Sequence, residues 1–167
     1  YLSNYDLLGV RQSPVFFILS SILLKIFKTE FFFRVIHLTI PLVIYIYFFK
    51  SLKLKFKNVE PEKLILLSTI IFLSPTIRSY SIWPDSYLYG ILFFILSVYN
   101  FLRYENEVNK KNKFVFFNIF FLSLSSYFMP TISPFSIFFT IRYFNDFVIE
   151  KKNYLSFFKV VILNLLL

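Results

Sequence analysis

The chain has 167 residues, of which 57 % are hydrophobic, 23 % aromatic and only 16 % charged, with a net charge of +9. Soluble globular chains carry roughly a quarter charged residues, so this composition excludes an ordinary water-soluble domain and points to a membrane. The absence of cysteine excludes a disulfide framework and a thiolate metal site, and the single histidine, His37, excludes a paired-imidazole site.

In chain order, residues 1–14 form a polar loop with Asp6 and Arg11. The apolar run 15–27 follows, interrupted by Lys25. At 1.5 Å per residue it reaches about 20 Å, short of the roughly 30 Å hydrocarbon core, and is expected to lie in the interface or form a short helix. The run 31–49 is long enough to span and contains Pro41, which is expected to kink it. Glu60-Pro61-Glu62 opens a span at 64–77, with proline in the first turn and acids where the helix dipole favours them. Further spans are expected at 86–102, 114–128, 135–149 and 155–167. Pro130 and Pro134 divide two helices rather than sit within one. The fold expected is all-α, a single multi-spanning transmembrane helical bundle. The chain starts at Tyr1 and ends within an apolar run, Leu163–Leu167, which reads as truncation at both ends.

Charge sits between the runs. Lys50–Lys63 carries five lysines against two glutamates, and Arg103–Lys113 carries four basic residues against two acidic ones. Basic connectors between apolar spans obey the positive-inside rule and argue against nucleic acid as a partner. Both connectors are assigned to the cytoplasm, with Arg142–Lys152 returning there. Arg78–Asp85 and Met129–Pro134 then share the outer side. Lys25, Lys28 and Arg34 against Glu30 fit this scheme poorly, unless the run 15–27 stays in the outer interface and its lysines snorkel to water.

The polar island Ser74–Asp85 between apolar runs holds the residues that could carry chemistry. An ionisable group at a membrane boundary is a candidate for function. Asp85 can act as a general base towards an acceptor hydroxyl, or simply cap the helix that follows. Arg78 offers a forked donor suited to phosphate, or marks the interface. Tyr80 and Trp83 offer faces to a sugar ring, or belong to an aromatic belt. Asp6 and Arg11 share the outer face with them, or are solvated loop charges. His37 reads as structural. No metal or cofactor motif is visible, and the cofactor is left unknown.

The order of these elements resembles that of the C-type (GT-C) membrane glycosyltransferases that use polyprenyl-phosphate sugars. The likeness lies in Arg11-Gln12-Ser13-Pro14 leading into Val15–Leu19, and in Leu73–Asp85 followed by a span closing on Tyr99-Asn100-Phe101-Leu102-Arg103. It implies transfer of a sugar from a polyprenyl-linked donor to a lipid, glycan or protein acceptor on the extracytoplasmic face. The membrane would be a bacterial inner membrane. Asp85 would be the second acidic residue of the site, and Arg78 a contact to the lipid phosphate; Tyr80, Trp83, Arg11 and Asp6 would complete the substrate site. The acidic pair that such proteins carry early in their first outer loop is not found in residues 1–14, and Met129-Pro130-Thr131 stands where they often hold Arg or Gln. A polysaccharide polymerase or ligase, and a transporter or non-catalytic scaffold, are the alternatives.

Overall fold

The computed structural model describes residues 14–27, 29–107, 112–150 and 154–166. Every regular element among them is helical. In order they are α1 (Pro14–Phe27), α2 (Glu30–Lys55), α3 (Pro61–Ser68), α4 (Ile70–Leu73), α5 (Pro75–Ile82), α6 (Ser86–Asn106), α7 (Asn112–Phe128), α8 (Phe135–Phe144) and α9 (Tyr154–Leu166). A 3₁₀ turn at Pro130–Ile132 precedes α8, and a π-helical turn at Asn145–Glu150 follows it.

Several boundaries differ from those read in the sequence. Helix α2 passes through Pro41 without breaking and runs on to Lys55. Lys50, Lys53 and Lys55 are good helix formers, and cations at a helix C-terminus complement its dipole. The expected span at 64–77 is not continuous. Ser68 and Thr69 turn their hydroxyls back onto the carbonyls of Ile65 and Leu66, at 2.7 and 2.6 Å. Ser74 then adopts an extended conformation ahead of Pro75, as a residue before proline must, and its Oγ accepts the Ile77 N–H. The chain bends by 59° there and starts α5. The expected 135–149 span leaves α-helical geometry after Phe144 and continues as the π-helical turn.

Helices α2 and α6 are long and apolar enough to cross a membrane, and the bent pair Pro61–Leu73 plus Pro75–Ile82 adds a third if it is one broken span. Side-chain placement agrees with a lipid surrounding. Leu66, Leu73, Phe31 and Leu155 are exposed, whereas Ser68, Ser86, Ser97, Asn118 and Ser125 are fully or almost fully buried. Apolar association does not drive helices together in lipid, so contacts there rely on small residues and interhelical hydrogen bonds. The α6–α7 seam is built this way. Ser97 Oγ donates to the Asn118 carbonyl at 3.0 Å, Asn118 Nδ2 donates to the Ser97 carbonyl at 2.9 Å, and Ser125 Oγ donates to the Gly90 carbonyl at 2.7 Å.

Gly90 packs closely against Met129, the residue after α7. A Cβ added there would lie 2.6 Å from the Met129 Cβ and 3.4 Å from its backbone nitrogen. Alanine in place of a helical glycine normally stabilises by about 1 kcal/mol. Here the obstruction is the root of a side chain, which cannot swing away, so Gly90→Ala should lower stability by about 1–3 kcal/mol in detergent unfolding. Adding Met129→Gly should relieve most of that loss, and an unchanged midpoint in Gly90→Ala would refute the close approach.

Candidate functional site

The island Ser74–Asp85 folds mostly as α5, so Arg78 and Tyr80 lie on a helix rather than in a connector. The Ser-Pro pair that starts it is a recognisable N-cap and N1 signature. Trp83 closes α5, its N–H donating to the Ser79 carbonyl at 2.9 Å, and its side chain is 71 % exposed. Arg78 is exposed and makes no ion pair with a described residue.

Asp85 starts α6. Its extended backbone and its Oδ1, which accepts the Tyr87 N–H at 2.8 Å, make it the N-cap. The Ser86 hydroxyl lies 3.5 Å from the same oxygen. The rings of Tyr80 and Tyr87 stack across the α5–α6 turn with centroids 5.7 Å apart and planes 15° apart. Four of the expected site residues, Arg78, Tyr80, Trp83 and Asp85, thus lie on one short helix and the turn after it. Asp6 and Arg11 lie outside the described residues.

His37 binds this junction together. It is fully buried in α2, with the rings of Tyr89 and Phe33 at 5.4 and 6.1 Å. Its Nε2 lies 2.9 Å from the Tyr80 carbonyl and 3.4 Å from the Asp85 amide nitrogen. A carbonyl only accepts, so the shorter contact requires the proton on Nε2, and the Asp85 N–H then cannot donate to it. Nδ1 is buried without a partner among the described residues. The last turn of α5 therefore gains a donor for a carbonyl that the helix leaves unsatisfied. The burial of His37 fits a structural reading, but its partner Tyr80 lies 43 residues away, and no local pattern announces it.

His37→Leu should strand the Tyr80 carbonyl at a cost of about 1–3 kcal/mol. Faster amide exchange at residues 80–86, with α9 unchanged, is the expected signature. His37→Gln keeps a donor and should restore part of the protection; equal protection in His37→Leu would show that the contact holds nothing.

Other segments converge on the same end. Phe16 of α1 packs on Tyr89 at 5.9 Å, Phe128 stacks on Tyr89 at 5.5 Å, and Met129 abuts Gly90. The proline turn after α7 and the start of α1 are therefore neighbours of the α6 N-terminus. At the other end of α6, Lys55, Lys57, Glu105, Arg142 and Asp146 line one cavity, so residues from all three basic connectors meet there.

Compared with protein families, with curated proteins and with solved structures, the chain matches none. Among the described residues, no three ligating side chains form a group that could hold a metal ion. The chemistry open to the site is that of a carboxylate whose Oδ1 caps α6, with a guanidinium and aromatic faces close by in the chain.

Proposed function

We propose that the chain is a multi-pass integral membrane protein of the C-type glycosyltransferase kind, with its Asp85 end on the extracytoplasmic side. It transfers a sugar from a polyprenyl-phosphate-linked donor to a lipid, glycan or protein acceptor. The observation that carries this reading is the position of Asp85. Its carboxylate sits at a helix junction, fixed by the Tyr87 N–H and preceded by the exposed Trp83. The gathering of basic connector residues at the opposite end supports the orientation.

In the reaction the acceptor hydroxyl oxygen attacks the anomeric carbon and the bond from that carbon to the phosphate oxygen breaks. The hydroxyl proton passes to Asp85 as general base, and the polyprenyl phosphate leaves with the bonding electron pair. Attack opposite the leaving group inverts the anomeric centre. Arg78 supplies the forked cation that suits the departing phosphate. Trp83 presents a face to the sugar.

The test is transfer from a polyprenyl-phosphate-linked sugar by the full-length protein in membranes. Loss of transfer in Asp85→Ala with normal membrane insertion is expected, and wild-type transfer in that variant overturns the proposal. A non-catalytic scaffold is favoured by one observation, the capping bond itself, which needs no chemistry. Replacement by asparagine separates the two readings.

A further inference from the structure

The geometry points to a bound anionic phospholipid at the end of α6 remote from Asp85. Its headgroup sits on Lys55 and Lys57, and its chain lies in an apolar groove between α2, α6 and α8. The inference rests on the membrane reading and is independent of the transfer chemistry.

Two cavities adjoin there. One, of about 420 Å³, is polar and lined by Lys55, Lys57, Tyr104, Glu105, Arg142 and Asp146 among others. The second, of about 520 Å³, is walled by apolar side chains that include Phe48, Leu52, Val98, Phe135 and Phe139. Lys55 and Leu102 line both, so the polar chamber and the groove adjoin at these two residues. The groove has a physical origin. Helix α8 rests on α6 through aromatic rings, Phe94 on Phe135 and Phe101 on Phe139, each pair with centroids 5.0 Å apart. Rings of that size hold the helix backbones apart and leave a trough beside them.

Charge decides the occupant. Arg142 Nε lies 3.0 Å from Glu105 Oε1, so these two charges offset each other. Asp146 is buried and engaged within the protein. Lys55 and Lys57 are exposed and form no ion pair with a described residue. An apolar trough that ends at two such ammonium groups complements an amphiphile with hydrocarbon chains and an anionic head. A peptide would bring backbone groups for which apolar walls offer no partner. A second copy of this chain would set lysines against lysines. Basic pockets between membrane helices on the positive side are where anionic lipid headgroups are held.

The probe is native mass spectrometry of the full-length protein released from nanodiscs of equal phosphatidylglycerol and phosphatidylcholine. Preferential retention of phosphatidylglycerol is expected. Lys55→Gln with Lys57→Gln should lower it by about ten- to thirty-fold, as two cations near an anionic headgroup imply. Val98→Trp, which fills the groove and leaves the charges, should lower retention of the lipid as well, and Asp85→Asn should leave it unchanged. Equal retention of the two lipids, full retention in the lysine double variant, or displacement by millimolar inorganic phosphate each overturns the inference. If the protein stays with alkali-washed membranes and yet holds no phosphatidylglycerol, the lipid site alone falls. If it washes off, the membrane reading falls with it.

Discussion

Asp85→Asn should abolish sugar transfer while leaving the α5–α6 junction folded. Asparagine is as good an N-cap as aspartate, and its amide oxygen can accept the Tyr87 N–H that the carboxylate accepts at 2.8 Å. What it removes is the charge and the ability to take a proton. The lost charge at a helix N-terminus costs about 0.3–1 kcal/mol, a small change in stability. A missing general base lowers rate by about 10²–10⁴-fold. Initial rates of transfer in membrane vesicles, measured beside thermal unfolding of the same preparations, resolve effects of such different size. Asp85→Ala removes the cap too, at about 1 kcal/mol. If asparagine transfers at the wild-type rate and only alanine lowers activity, in step with folded protein, Asp85 is a cap and the transfer site lies elsewhere.

The parts of this molecule that were legible in the sequence are those written locally. The apolar runs mark the helices, and Pro-Asp before Ser86 marks the start of α6 with its cap. The basic connectors were expected on one side, and residues from all three line one cavity. The break at Ser74 was also written locally, in Ser-Pro, but apolar content alone carries 64–77 straight through it. The role of His37 was not legible, because pairing it with the Tyr80 carbonyl needs the register between α2 and the α5–α6 turn. The same holds for Ser97, Asn118 and Tyr143. Ser97 and Asn118 each lie inside an apolar run, Tyr143 follows Arg142 at the end of another, and only the packing of three helices shows that they answer one another. That two cavities adjoin at Lys55 likewise depends on how α8 packs on α6, which no helical period reveals.

That buried triad gives the second large effect. Asn118 Nδ2 donates to the Ser97 carbonyl at 2.9 Å and to Ser97 Oγ at 2.8 Å, and Asn118 Oδ1 accepts the Tyr143 hydroxyl at 2.9 Å. Asn118→Leu keeps the γ-branched shape, with bulkier methyl groups in place of the amide, and removes all three. Interhelical hydrogen bonds in membrane proteins average about 0.6 kcal/mol each, with a maximum near 1.7, so the summed loss should be roughly 2 kcal/mol and at most about 5. The stranded Tyr143 hydroxyl, fully buried, is the costliest remnant. Tyr143→Phe in the Asn118→Leu background should therefore recover stability, whereas Tyr143→Phe alone should lose it. That change of sign distinguishes a hydrogen-bond network from simple packing, because a packing role predicts that the two losses add. Detergent unfolding curves of the four proteins supply the cycle. Additive losses would mean that the rings of Phe101, Tyr104 and Phe147 around Tyr143 hold α8 in place by themselves. Coupling would mean that Asn118 sets the register of α7 on α6. Since Phe128 at the end of α7 stacks on Tyr89 beside His37, loosening that register should also raise amide exchange at the Asp85 junction.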